Sequence, residues 1–216
     1  MIRLRKGPEP SVLATKKESW TKQLLDCIHR EEEVPKGLKR KYNQPEVKRA
    51  LKDECNGKCM YCESPVDHVA HEHIEHIKPK AKSKYPELTF EWTNLGLACP
   101  ICNENKGDTY DEDLPFINPY EEEPSDFLIA YGTFVFPLPG NRRGKVTVGK
   151  IKLNRPELLE RRKERLDLIQ GLIDDYVTEM NPTLKAIFKN ELEVEIAKSK
   201  PYSLWARSFV KALLND

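Results

Sequence analysis

Long apolar runs are missing from this chain. Of its 216 residues, 38% are hydrophobic and 33% charged, with a mean hydropathy of −0.67. A membrane-spanning helix needs about 20 consecutive apolar residues, so none is expected. The opening MIRLRKGPEP lacks the apolar stretch of a secretory signal, and the expectation is a cytoplasmic protein. Net charge is nearly absent as well. Thirty-six Lys and Arg face 35 Asp and Glu, which excludes a global attraction to polyanions. Repeats and low-complexity segments are also missing. A chain of this length can bury one real core, or one domain with a helical annex, without disulfides.

Local charge is less even. Residues 1–50 hold 13 Lys and Arg against 7 Asp and Glu, whereas residues 108–126 hold eight acids and no base. Such runs are usually solvated faces, so the basic one counts only weakly toward a nucleic-acid surface.

The apolar pattern predicts an α+β protein. Trp20, Leu24, Leu25 and Ile28 share one face of a helix over about Ala14 to Glu33. A second helix opens at Pro45, carries Val47, Ala50, Leu51 and Cys55, and stops at Gly57. The histidine region alternates like a short strand through Ile77. Between Phe127 and Leu153, LIAYGTFVF and KVTVGKIKL flank PLPGNRRG and read as a hairpin. From Pro156 the spacing of Leu158, Leu159, Leu166, Ile169, Ile173 and Val177 is helical, and one or two further helices follow. The expected organisation is a basic helical segment over 1–54, a finger over 55–108, an acidic loop with a hairpin over 109–153, and a helical region over 154–216.

Six cysteines in a reducing compartment read as thiols or metal ligands rather than bridges. Cys59 and Cys62 form one C-x-x-C pair, Cys99 and Cys102 another, the arrangement that holds a tetrahedral Zn²⁺ through four thiolates. The 36 residues between the pairs exceed the gap of a compact zinc ribbon, and a zinc there would tie together the ends of an insert with little core of its own. A redox reading of Cys59 and Cys62 would not need the second pair. Cys27 and Cys55 fall on or near apolar helix faces and read as small hydrophobes; Cys55 is the one rival for a zinc position.

The insert holds HIEHIKPK at 73–80, and TNLGLACPICNENKGD follows at 93–108. Glu75-His76-Ile77 with a following proline, then Asn94-Leu95, then Cys-x-x-Cys-Asn-x-x-Lys-Gly, resembles an HNH endonuclease. That resemblance implies a ββα-metal finger, treble-clef-like, in which two strands and a helix pinch one divalent ion while zinc staples the finger from behind. It is embedded here between N- and C-terminal helices with an extra hairpin. Phosphodiester hydrolysis needs a base for water and a hard cation for the developing charge. His76, poised near neutral pH, is the expected base. Glu75, where most relatives have Asp, and Asn103 would hold catalytic Mg²⁺ or Mn²⁺, with Asn105 as a substitute for Asn103 if the register slips. Asn94 would pin the loop between strand and helix. Lys106 would touch the scissile phosphate, and Lys78, Lys80, Lys82 and Lys84 could extend that contact. His73 reads as a group behind the ligands, an extra ligand, or a structural residue; His68 and His71 as surface loop residues; His29 as ordinary.

Two other patterns fail. HEHIEH lacks the second histidine that HExxH requires, and GNRRGK is one residue short of a phosphate loop and is followed by Val146. The order KYNQPEVKRAL, GKCMYCE, EHIKPK, INPY and LNRPELLERR is similar to the HNH subunits of Septu anti-phage systems and of retron-associated endonucleases, over roughly residues 1–165. This implies a defence nuclease acting on nucleic acid, DNA ahead of RNA, with an ABC- or SMC-like ATPase subunit (PtuA-like) as partner. Two rivals stand beside it: a zinc module that binds nucleic acid without cutting it, and a scaffold whose finger supports partner contacts. Neither needs the Glu-His pair.

Overall fold

The computed structural model describes residues 1–66 and 73–214. The expectations for His68 and His71 lie outside the described residues.

Proline sets most helix starts. Pro10 precedes Ser11–His29 (α1), Pro35 precedes Lys36–Lys39 (α2), and Pro45 is the first residue of Pro45–Cys55 (α3). At a first helical position the missing N–H removes a donor that had no partner, and φ is already helical. Helix α1 begins before Ala14 and stops short of Glu33, because Glu31 turns to a positive φ of 58°. It buries Leu13, Trp20 and Leu24. Helix α3 ends where Asn56 and Gly57 adopt φ of 53° and 67°, which swings the chain into the first cysteine pair.

Strands His73–His76 (β1) and Leu95–Ala98 (β2) pair antiparallel, with Glu75 opposite Gly96 and His76 opposite Leu95. Pro100–Lys106 (α4) follows and packs against β1, completing a β-β-α unit. Gly96 is required by packing: a Cβ there would collide with the Met60 sulfur. The first cysteine loop therefore sits directly on β2, and the Met60 amide donates to Leu97 O at 2.8 Å.

The predicted hairpin is half right. Leu128–Tyr131 (β3) pairs with Phe134–Pro137 (β4) around Gly132, whose φ is 54°. The segment KVTVGKI, expected to be its second strand, lies instead in helix Arg142–Ile151 (α5). Two residues suffice to turn the chain at Gly132, so β3 finds its partner locally. Asn141 Oδ1 then accepts the Gly144 amide at 2.8 Å and caps α5. Thr147 and Ile151, one turn apart, are fully buried, and the helical period wins over the alternation of Val146 and Val148.

Helices Pro156–Thr178 (α6), Pro182–Glu195 (α7) and Ser203–Leu214 (α8) complete the chain. Ile169, Ile173, Leu192, Ala206 and Val210 form a small core among them, while Leu158, Leu166 and Trp205 join the main core. The buried Arg162 stitches this region on: its guanidinium donates to Thr133 O and Leu153 O and stacks on Trp205, 3.7 Å from the ring centre. Among the described residues no helix is long and apolar enough to cross a membrane.

Candidate functional site

The finger has two faces. On one, the four paired cysteines meet, with their sulfurs all within 4.8 Å of one another. The first pair sits in a tight loop closed by Cys59 N to Ser64 O at 2.9 Å and Glu63 N to Cys59 O at 3.0 Å. The second pair is helical: Cys99 precedes α4, and its sulfur accepts the Cys102 amide at 3.4 Å. Cys62 and Cys99 sulfurs lie 3.9 Å apart. The edge of a Zn–S₄ tetrahedron with bonds of about 2.3 Å is about 3.8 Å, so the cradle fits a zinc ion. Hydrogen bonds from Cys102 and Cys59 lower the Cys62 and Cys99 pKa values, while Cys59 and Cys102 are raised, so the negative charge of the cluster gathers on Cys62 and Cys99.

Arg155, the residue before α6, faces that charge. Its guanidinium nitrogens lie 3.5 Å from Cys102 Sγ, 3.8 Å from Cys99 Sγ and 4.0 Å from Cys62 Sγ. Burial lowers its pKa, but the neighbouring sulfur charges outweigh this and raise it overall, so it is always protonated. Its neighbour Asn154 exchanges two hydrogen bonds with the Val135 backbone of β4. Asn154-Arg155-Pro156 thus clamps the hairpin, touches the sulfur cluster and starts α6 with three consecutive residues. Cys55 stands apart from the cluster. Its thiol donates to Leu51 O at 3.0 Å, and burial pushes its pKa up to about 11.

The other candidate centre is on β1, where the consecutive residues Glu75 and His76 are both buried and point to opposite sides of the strand. His76 Nε2 lies 3.0 Å from Thr89 O. A carbonyl only accepts, so Nε2 carries the hydrogen and Nδ1 keeps its lone pair. The Lys80 ammonium sits 3.2 Å from Nδ1, and the Tyr42 ring packs edge-on at 4.6 Å between centroids. Burial first, then the Lys80 charge, push the His76 pKa down to about 3. The expectation of a histidine poised near neutral pH is therefore corrected: the ring is neutral throughout the physiological range, because charging it means placing a cation in a dry pocket beside an ammonium.

Glu75 is 3% exposed and does not stand alone. Lys106 Nζ lies 2.6 Å from Glu75 Oε1 and donates to His76 O at 2.8 Å. Tyr61, inside the first cysteine pair, donates to Glu75 Oε1 at 3.4 Å. Burial raises the Glu75 pKa, with Lys106 opposing. The expectation that Lys106 points toward a phosphate does not match its position: it is 1% exposed and turned inward, because a buried carboxylate and a carbonyl both need its donors.

Asn94 is buried in the segment between the two strands. It accepts the Lys78 amide and donates to Lys78 O and Leu88 O, at 2.8 to 3.1 Å. Asn103 is half-buried one turn before Lys106 on α4, and residues three apart share a helix side. Asn105 donates to Ile151 O of α5 at 3.4 Å, so it serves the fold. His73 opens β1 opposite Ala98.

The lysines after Pro79 disperse. Lys78 stands over the Tyr85 and Tyr110 rings, at 5.0 and 5.6 Å. Lys80 and Lys82 line a 550 Å³ cleft together with Ile28, Val34, Lys39 and Thr89, with acids Glu32, Glu33 and Asp108 also in its wall. Lys80 and Thr89, the two polar partners of His76, both line this cleft, while His76 itself is buried behind them. Sequence reasoning missed Tyr42, Tyr61, Lys39 and Arg155. Tyr61 alone had a local signal, its place inside CMYC; the others arrive through tertiary packing.

Residues 59–109 match the HNH endonuclease family model. Beyond those residues, the Septu protein PtuB of Bacillus mycoides (strain KBAB4) is 28% identical over 207 residues, covering 81% of this chain and 70% of its own. The Septu protein PtuB of Bacillus thuringiensis is 26% identical over 228 residues, covering 100% and 83%.

Proposed function

We propose that the protein is a metal-dependent HNH nuclease of the Septu type, hydrolysing phosphodiester bonds of nucleic acid, DNA ahead of RNA, in anti-phage defence together with a PtuA-like ABC or SMC-type ATPase. The observation that carries this reading is His76. Its tautomer is set by Thr89 O, its Nδ1 lone pair is free of a proton, and it lies next to a buried carboxylate in a β-β-α unit. Once the Lys80 ammonium turns from Nδ1 to a phosphate oxygen, Nδ1 takes the proton from a water whose oxygen attacks phosphorus, and the bond to the leaving oxygen breaks. A pKa of about 3 describes the ring without substrate; a phosphate anion beside it raises basicity when it is needed.

Glu75 and Asn103 are the residues that would hold the catalytic ion, Mg²⁺ or Mn²⁺. Bound there, such an ion supplies charge stabilisation to the phosphoryl oxygens. Cys59, Cys62, Cys99 and Cys102 would hold structural zinc. Asn94 keeps the segment after β1 in place, Lys80 orients His76, and the cleft of Lys39, Lys80 and Lys82 admits the strand. The division into segments 1–54, 55–108, 109–153 and 154–216 belongs to this reading, with the basic first segment and the C-terminal helices as surfaces for the ATPase.

The deciding experiment incubates the zinc-loaded chain with DNA and with RNA, alone and with its ATPase, with and without Mg²⁺ or Mn²⁺. Cleavage that needs the ion and disappears in His76→Ala is expected. Cleavage retained by His76→Ala removes the base role. Nucleic-acid binding without cutting in every combination would favour the binding module instead.

A further inference from the structure

We infer that the Lys106 ammonium occupies the cation seat of Glu75 in the ion-free finger, and that a divalent ion loads only by displacing it. This rests on the nuclease reading above and adds how its site is regulated. With Lys106 in place, the donor set does not fit a divalent ion.

The geometry is that of a small cation between hard oxygens. Nζ lies 2.6 Å from Glu75 Oε1 and 2.8 Å from the His76 carbonyl oxygen, two acceptors on adjacent residues of β1. Both charged side chains are almost wholly buried, at 1% and 3% exposure. In a dry site, an ammonium and a divalent ion sharing one carboxylate repel strongly, since little water screens them. With Lys106 present, the pair is neutral. A divalent ion added to it would leave two excess positive charges in the interior, and one if Lys106 leaves.

Lys106 is placed to leave. It is the last residue of α4, and Gly107 follows at a φ of 51°, so its four-carbon stem hangs from the end of a helix rather than its middle. Asn103, one turn earlier, stays on the same side of the helix. The contact to the scissile phosphate expected from the sequence is open to Lys106 only after this displacement. One lysine thus has two stations, and ion loading and phosphate binding become linked: each favours the ammonium outside.

The test uses the zinc-loaded wild-type chain. A small amine-acylating reagent is applied across a Mn²⁺ titration, ion binding is followed by electron paramagnetic resonance, and acylation of each lysine by mass spectrometry. Lys106 is expected to be protected without ion and to become acylated in step with Mn²⁺ binding, while the exposed Lys163 stays constant. In Lys106→Met the ion is expected to bind at least tenfold tighter than in wild type. Lys80→Met removes a weaker charge that also acts on Glu75 and should give a smaller gain than Lys106→Met. Ion binding with Lys106 still protected, or equal affinity in wild type and Lys106→Met, overturns the inference and leaves the nuclease reading standing. Absence of Mn²⁺ binding in both chains overturns the metal-dependent reading along with it. The acylation arm needs no variant, so it decides even if Lys106→Met folds poorly.

Discussion

The two faces of the finger solve the problem of holding a cation in opposite ways. The cysteine face is assembled in advance: four sulfurs converge, a loop and a helix start hold them by backbone hydrogen bonds, and Arg155 offsets their charge. The glutamate face is closed by an internal ion pair. Thiols are weakly solvated, so one guanidinium suffices beside four of them, whereas a buried carboxylate needs its own ion pair. The sulfur centre is thus laid out without an ammonium among its donors, while the carboxylate centre holds one.

Breaking the first face should have the largest effect. Cys59→Ser or Cys102→Ser is expected to lose zinc and unfold the finger, read as zinc content and a collapsed thermal transition; normal zinc and an unchanged melt would remove the centre from the fold. On the second face, His76→Ala is expected to lower cleavage by about 10² to 10⁴ while zinc content stays at wild type. Omitting Mg²⁺ and Mn²⁺ from the zinc-loaded protein should reproduce that loss without unfolding, which separates the two cations directly.

Smaller changes sharpen the contrast. Arg155→Met is expected to weaken zinc retention by about 10 to 100-fold, as loss of a ligand's hydrogen-bond partner does; release to a colorimetric chelator measures it, and wild-type release would show the guanidinium to be a bystander. Gly96→Ala, which forces Met60 aside, should cost about 1 to 3 kcal/mol in urea melts. Tyr61→Phe removes one long hydrogen bond to Glu75 and is expected to cost no more than about 1 kcal/mol. An effect on cleavage larger than on stability would mark Tyr61 as a link between the faces.

Much of this was legible in the chain. Two C-x-x-C pairs specify their own chemistry, since four soft ligands at those spacings have few other uses. Proline placed the starts of α3 and α6, and the alternation around Glu75 and His76 placed β1. KVTVGKI was misread because a period of two over seven residues also suits a helix whose buried positions are one turn apart. The His76 titration was misjudged for another reason. Its low pKa comes from burial and from Lys80 four residues on, and no spacing rule reports that a pocket is dry.

By itself the sequence determined which elements can bind a metal and where helices start, because ligand type, ligand spacing and backbone preference are local properties. Only the tertiary structure decided the state of each site. Arg155 reaches the sulfurs from across the core, Tyr42 and Thr89 close around His76, and Lys106 turns inward to Glu75. Charge and solvation depend on which neighbours the fold brings within a few ångströms, and those neighbours come from distant parts of the chain.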